Sequence, residues 1–459
     1  MKQVKRSSKN SSYQNVEGIL AIGRDGLCHR CGGCVGICPA DTLALDGDCF
    51  PMQVGECISC SLCTDICSGA AADFQAIGTY LFGPEYCRRG PLGETRQAYV
   101  GHSTDEKIRW AGASGGVVTR LLMFLLETGK IQGALVAGPH PDDPALGLGY
   151  VARSSEELLA SSQSRYTTVP MLTALKEIRK DKKGRYAVVA LPCHAHTLRK
   201  LQMKNAGWQR RISLIIGLYC HYRLPHEATR EAAAIVAPAG TKLSAIKYRQ
   251  KDNQGWPHNT VEMTFSDGSK WRSPYGPAQT VSMLAHCYPR GRCLHCVDAL
   301  VEFGDLAIGD PWIRGMDGGW KYTVPGGRSG IIIRTADGEH LIDDAVKAGD
   351  LEVNPIPVME VVQGQYVMIM EKFTGTPLRM SWLQRLGRAL PDYGIDFSPA
   401  TAAAQLREGR FLLMRLITVY GPIRRFFLRL GFSRIGLAFM GWRRKFNQKK
   451  AVSRLKAAK

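Results

Sequence analysis

Two cysteine runs of identical spacing constrain this chain more than any other feature. The first is Cys28-x2-Cys31-x2-Cys34-x3-Cys38, followed by Pro39; the second is Cys57-x2-Cys60-x2-Cys63-x3-Cys67. They form a repeat with an offset of 29 residues. Thiols at every third residue of a tight loop can present three thiolates to one centre, while the fourth lies too far along the chain to join them. Gly32 and Gly33 allow the backbone to approach such a centre and donate N–H groups to it. C-x-x-C pairs also build zinc knuckles, but a zinc site has no use for third and fourth thiols at this spacing twice over. The spacing therefore predicts two iron–sulfur cubanes.

Residues 18–75 as a unit resemble a bacterial two-cluster ferredoxin, in which the fourth cysteine of each run ligates the other cluster. The resemblance assigns Cys28, Cys31, Cys34 and Cys67 to one [4Fe–4S] cluster, and Cys57, Cys60, Cys63 and Cys38 to the second. Ser68 departs from that pattern, since a second proline is common there. Cys49 and Cys87 fit neither run and read as buried or incidental thiols. The chain opens on polar "MKQVKRSSKNSSYQN" with no apolar leader core. Fifteen cysteines in such a context argue for metal ligation over disulfides. No run of eighteen residues lacks a charge, so no spanning helix is expected. The expected location is cytoplasmic, with the inner membrane face as a possible peripheral site.

The 459 residues suffice for two or three domains. Residues 1–17 read as a disordered lead, 18–75 as the α+β ferredoxin-type domain, and 76–97 as a linker. Residues 98–370 read as the main body, and 371–459 as a helical, basic C-terminal region. In the body, "GALVAG", "RYAVVALP", "RISLIIGLY", "GDLAIGD" and "SGIIIRT" alternate with amphipathic stretches. That alternation predicts an α/β fold with a mixed, largely parallel sheet. "VEMTFSDGSKWRS" predicts an antiparallel hairpin turning at Asp-Gly. In "WAGASGGVVTRLL", Ser114 is read as an N-cap and Gly115–Gly116 as the helix start, where backbone N–H groups favour an anion such as a cofactor phosphate. No G-x-G-x-x-G follows a strand. No Ser-His-Asp pattern, P-loop or H-E-x-x-H stands out, so no catalytic residue is assigned.

"GASGGVVTRLL", "SQSRYTTV", "ALPCHAHTLRKL", "GLYCHY", "RCLHCVDALVEFGDLAIGDPW" and "GRSGIIIRT" occur in that order. Over roughly residues 20–350 they resemble the family of beta subunits of coenzyme F(420) hydrogenases and dehydrogenases. The resemblance implies FAD bound beside a [4Fe–4S] cluster. It further implies that Ser114, Gly115, Gly116 and Thr119 form a flavin-contacting loop, that Ser164, Arg165 and Tyr166 line the same site, and that Gly309 and Asp310 close it. Cys293 and Cys296 need two partners. Cys193 and Cys220 each follow a strand-like run, at the strand end where open α/β sheets place ligands. These four are read as a third [4Fe–4S] site, with Cys287 as a competing ligand. His194, His196, His221 and His295 adjoin the thiols, and a mixed Cys/His zinc site is the alternative. Zinc would strand electrons between the ferredoxin unit and the flavin, so iron suits the chain better.

The expected function is a flavin-dependent iron–sulfur oxidoreductase. It would pass electrons between ferredoxin-type clusters and FAD, with hydride exchange to a deazaflavin, a nicotinamide or an unsaturated small molecule. The alternative is an electron-transfer subunit that serves a partner enzyme and has no substrate site of its own. Of the formal charge of +20, +13 comes from Phe411–Lys459, which has thirteen Lys or Arg and no Asp or Glu. That tail reads as an amphipathic helix pair broken near Gly421–Pro422. Its large apolar residues favour an anionic membrane surface or an acidic protein over nucleic acid.

Overall fold

The computed structural model describes residues 13–88, 90–252, 255–288, 291–395, 402–436, 438–439 and 442. Residues 1–12 of the expected lead and 443–459 of the basic end lie outside them. The strands are β1 (Leu43–Leu45), β2 (Pro51–Gln53), β3 (Gln97–Ser103), β4 (Gly133–Pro139), β5 (Gly147–Ala152), β6 (Tyr186–Ala190), β7 (Ile212–Leu218), β8 (Leu243–Gln250), β9 (Thr260–Phe265), β10 (Lys270–Arg272), β11 (Leu306–Gly309), β12 (Ser329–Ile333) and β13 (Leu351–Pro355).

The body is an eight-stranded sheet in the order β13-β3-β12-β11-β7-β6-β4-β5. Strands β11, β7, β6 and β4 pair in parallel, and the flanking pairings are antiparallel. Five of the eight strands (β3, β4, β6, β7 and β11) therefore run the same way. Both faces are covered, which explains the nearly continuous apolar strand runs. Leu135, Val188, Ile215 and Ile332 point to one face, against Leu172 and Leu198. Val136, Ala187, Ile216 and Ile331 point to the other, against Leu121 and Leu341. The period-two alternation of the pleat divides them.

A separate three-stranded sheet, β10-β9-β8, is antiparallel throughout. Its β9–β10 hairpin turns at Asp267-Gly268, where Gly268 has φ 81°. Helices His226–Val236, Pro277–Cys287 and Gly421–Phe432 pack with it through Ala228, Leu284 and Leu428.

Three expected boundaries shift. Helix Asn15–Arg24 begins inside the expected lead, because Val16, Ile19 and Ile22 form a buried stripe with Leu27 and Leu43. Much of the expected linker is docked. Asp73 caps helix Phe74–Phe82 by accepting from Ala76 N. Phe74 and Ile77 pack with Phe303 and Tyr393, and Arg88 and Tyr86 reach Glu302 at 2.8 and 2.6 Å. At the other end, residue 370 is no boundary. Helix Tyr366–Met370 continues through a π-helical turn, Glu371–Gly375, into helix Thr376–Arg385. Lys372, Thr376 and Arg379 are buried in the body. Two more helices, Ala402–Thr418 and Gly421–Phe432, follow. Among the described residues no helix is long and apolar enough to cross a membrane.

Candidate functional site

The 29-residue repeat is a repeat of backbone conformation. Arg30 and Ser59 have φ 56° and 55°, and Gly32 and Ser61 have φ 78° and 55°. A short helix follows in each copy, Gly33–Ile37 and Leu62–Asp65. This left-handed path turns N–H groups toward sulfur: Arg30 N donates to Cys28 Sγ at 3.2 Å, Gly33 N to Cys31 Sγ at 3.5 Å, and Ser59 N to Cys57 Sγ at 3.4 Å. Each run's third thiol lies within electrostatic range of the other run's fourth: Cys34 of Cys67, and Cys63 of Cys38. Burial raises the Cys34 thiol well above its usual value, and Cys31, Cys28 and Cys67 are close enough to raise it further. The Cys63 thiol is pushed up to about 12, by burial first and also by Cys60, Cys38 and Cys57. Cys28, Cys31, Cys34 and Cys67 line one cavity with Ile22 and Gly33, and Cys63 and Cys49 line it as well. So many thiols sharing one apolar space stay protonated unless a positive centre takes them. Among the described residues no three His, Cys, Asp or Glu side chains converge on a point that would hold a single metal ion.

A second set of thiols gathers beyond the carboxyl ends of the central strands β6 and β7. Cys193 sits in the first turn of helix Pro192–Lys204, directly after β6. Cys220 lies just past β7 and donates its N–H to Ala299 O at 3.0 Å. Cys293 belongs to the turn Gly291–His295, and Cys296 N bonds back to Cys293 O at 3.2 Å. Burial raises the Cys193 thiol, and Cys220, Cys31, Cys296 and Cys293 all add to the shift. The Cys220 thiol reaches about 12 through burial, with Cys293 and Cys296 as neighbours. The four thiols read together in the sequence are thus side by side, and Cys31 of the N-terminal unit is within electrostatic range of Cys193. Cys287 is elsewhere: it ends helix Pro277–Cys287 in the small-sheet core with Leu428, and its charged neighbour is Arg424. The nearby histidines are engaged in other contacts. His196 Nε2 is 3.0 Å from Asp298 Oδ2, His221 Nε2 is 2.7 Å from Glu371 Oε2, and His194 Nδ1 accepts from Leu191 N at 3.4 Å.

The sequence reading missed one residue of this set. Lys372 is buried and donates to Cys296 Sγ at 3.3 Å and to Asp298 O at 2.6 Å. Burial alone would lower its ammonium; Cys296 and Cys220 instead hold it above its usual range. The π-helical turn aims it at the thiols from 76 residues away in sequence, where no local motif announces it.

The two units are joined where their cysteines approach. Ser68 Oγ donates to Cys193 O at 2.9 Å and lies 2.9 Å from Thr197 Oγ1. Lys200 Nζ donates to Cys67 O at 2.9 Å and Ala71 O at 2.8 Å, and Arg292 Nε to Gly69 O at 2.9 Å. Leu172 N bonds to Cys31 O at 2.8 Å.

The glycine loop differs from its sequence reading at one point. The helix begins at Val117 with Gly116, at φ 74°, as its N-cap, so Ser114 is no cap. Its hydroxyl lies 3.0 Å from Ser329 Oγ, which also accepts from Gly115 N at 3.1 Å. A Cβ on Gly115 would sit 2.7 Å from Gly101 O, so the loop can pass there only as glycine. Thr119 is buried in the first turn of that helix, and Ser164 is half-buried. Gly309 and Asp310 stand opposite: Arg249 grips both Asp310 oxygens at 2.7 and 2.9 Å, and Trp256 Nε1 donates to the carboxylate at 3.0 Å. The same guanidinium reaches Ala113 O at 3.3 Å and Tyr166 Oη at 3.5 Å. Lys251 Nζ donates to Arg109 O, Ser114 O and Gly326 O at 2.6, 2.7 and 2.9 Å. Burial first, and then Arg249, push this ammonium down to about 7. The structure therefore brings the 113–116 loop, Tyr166 and Asp310 together through Arg249, Lys251 and Trp256, none of which the sequence reading assigned. Along the adjoining segment, Gln163 Oε1, Arg165 Nε and Thr167 Oγ1 are buried without a hydrogen-bond partner among the described residues. Alternate residues with unmet donors and acceptors fit a polar ligand with phosphate and ring edges.

The family model for the N-terminal part of the coenzyme F(420) hydrogenase/dehydrogenase beta subunit matches residues 98–176, and that for its C-terminal part matches 183–358. Coenzyme F(420) hydrogenase subunit beta of Methanothermobacter thermautotrophicus is 28% identical over 274 residues, which span 58% of this chain and 86% of that protein. A component of the F(420)H(2) dehydrogenase of Methanosarcina mazei is 25% identical over 360 residues, spanning 75% of this chain and 89% of that one. The coenzyme F(420)-dependent sulfite reductase of Methanocaldococcus jannaschii is 27% identical over 334 residues, 69% of this chain and 45% of that one. In fold, the chain matches a component of the F(420)-reducing [NiFe] hydrogenase complex from Methanosarcina barkeri. The TM-score is 0.51 at 20% identity, covering 66% of this chain and 98% of the other.

Proposed function

This chain belongs to the family of coenzyme F(420) hydrogenase/dehydrogenase beta subunits, and we propose that it is a cytoplasmic, flavin-dependent iron–sulfur oxidoreductase. Cys28, Cys31, Cys34 and Cys67 would hold one [4Fe–4S] cluster, Cys57, Cys60, Cys63 and Cys38 a second, and Cys193, Cys220, Cys293 and Cys296 a third. Ser114, Gly115, Gly116, Thr119, Ser164, Arg165 and Tyr166 would hold FAD, with Gly309 and Asp310 closing the site. When bound, the flavin would exchange two electrons with a deazaflavin, a nicotinamide or an unsaturated small molecule, and the clusters would carry electrons singly. The chain's own contribution is positioning. Gly115 leaves its loop room against β3, Lys251 ties three loop carbonyls together, and Arg249 fixes Asp310 facing Tyr166. Arg165, half-buried with its Nε enclosed and unmet, is the donor best placed for an anionic part of the ligand.

One observation carries this reading: the first cysteine run and the body's set meet across a bonded seam, where Ser68 Oγ donates to Cys193 O at 2.9 Å and Leu172 N to Cys31 O at 2.8 Å. Iron and flavin analysis of the anaerobically purified chain tests it. The expected content is about twelve irons, four for each of three clusters, and one flavin. Bleaching by reduced deazaflavin, NADH, NADPH and reduced ferredoxin in turn would then identify the donor. Absence of flavin together with far fewer irons overturns the reading. Full clusters with no turnover by any hydride donor would favour the electron-transfer subunit serving a partner.

A further inference from the structure

We propose that the helix pair Ala402–Thr418 and Gly421–Phe432 is a docking face for an anionic membrane surface. The pair has one anchored side and one free side. On the anchored side Leu428 is fully buried in the small-sheet core, Arg424 Nε donates to Glu231 Oε2 at 2.9 Å, and Thr418 Oγ1 donates to His286 O at 3.3 Å. These contacts fix which way the rest of the pair faces.

The free side is apolar to a degree that water alone does not explain. Leu413 and Leu416 are 58% and 75% exposed on the first helix, Tyr420 is 63% exposed in the turn that follows, and Phe426 is 62% exposed on the second. Ile435 continues the series at 73%. Leu406, Leu413 and Ile417, all exposed on the first helix, are spaced i, i+7 and i+11, which gathers them into one stripe. Arg410, Arg425, Arg429 and Arg434 are exposed beside these residues, and no acidic residue occurs from Phe411 to the end of the chain. Apolar side chains that can enter the acyl boundary, flanked by arginines that can reach headgroup phosphates, suit a helix pair lying in an anionic interface. A second copy of the chain would set the same arginines against each other. With no helix here able to span, the fitting mode is attachment from one side.

The test uses the full chain, with iron content as a check on folding, and sedimentation with vesicles. Phosphatidylcholine vesicles containing phosphatidylglycerol should pull the protein down, and pure phosphatidylcholine should bind at least tenfold more weakly. Leu416→Glu with Phe426→Glu should abolish binding at unchanged iron content. Arg425→Glu should weaken it about tenfold, and raised salt should weaken it in step. Equal binding by the Leu416→Glu, Phe426→Glu variant would overturn the proposal. So would a failure to sediment with anionic vesicles, a dimer held through this face, or binding to a polyacidic protein in preference to vesicles.

Discussion

The two cysteine loops share spacing, offset and left-handed backbone, yet they occupy opposite environments. In the first, His29, Gly32 and Gly33 are buried against the body. In the second, Ile58 is 61% exposed and Cys60 is exposed. Equivalent positions have inverted polarity, a histidine inside and an isoleucine outside. Local sequence therefore sets the loop conformation, and tertiary packing decides what each loop faces. The inner set lies toward Cys193, and the outer set includes the exposed Cys60.

The largest expected effect breaks the comparison at its thiols. Cys34→Ser should cost the inner cluster and, because that set is wedged between units, the flavin reduction that depends on it. Cys60→Ser should cost about four irons while leaving the third set's signal in place. Iron analysis with EPR separates the two, and equal loss in both variants would abolish the inner–outer distinction. Next comes an exchange of glycine and serine. A Cβ on Gly32 would lie 2.5 Å from Thr173 Cγ2 and 3.0 Å from Pro170 O, in addition to the left-handed strain. Gly32→Ser should cost about 2–5 kcal/mol in chemical denaturation. Ser61→Gly should stay within about 1 kcal/mol, because relief of strain offsets loss of the bond from Ser61 Oγ to Asn15 Oδ1.

What was legible follows the same division. The repeat of the two runs could be read because it is encoded locally, by spacing. The strand runs of the sheet could be read because burial on both faces makes them continuously apolar. The grouping of Cys193, Cys220, Cys293 and Cys296 was legible because each lies just past a strand or in one C-x-x-C. Lys372, Arg249 and Lys251 were not, since a buried cation is recognisable only by the groups it meets, and those lie from 60 to 140 residues away in the chain. Ser114 was misread as a cap because cap preference concerns the helix start, and that start is displaced to Val117 by the left-handed Gly116.

Lys372 sharpens the comparison from the body side. Lys372→Met removes a charged donor from Cys296 Sγ and leaves Asp298 O without that partner, at a cost of about 1–3 kcal/mol. A cation beside thiolate ligands stabilises the more negative, reduced state. Its loss should lower the midpoint potential of one EPR signal and leave the outer loop's signal unmoved. Lys372→Arg should retain most of the effect. An unchanged potential in the methionine variant would mean that Lys372 only fills space.

The smallest effect falls at the one place where the runs differ in the residue after the last cysteine. Pro39 is exposed, whereas its counterpart Ser68 is buried and bridges Cys193 O and Thr197 Oγ1. A proline at 68 would have no hydroxyl for either contact, so the departure from the ferredoxin-like pattern coincides with the seam between the units. Ser68→Ala should lower stability by about 1–2 kcal/mol, and Pro39→Ala by about 0.5 kcal/mol or less, in parallel urea titrations. If Ser68 also sets the distance across the seam, electron transfer from the inner to the third cluster should slow in Ser68→Ala at full iron content. Equal stability and equal rates would mean that Lys200, Arg292 and Leu172 hold the seam without it.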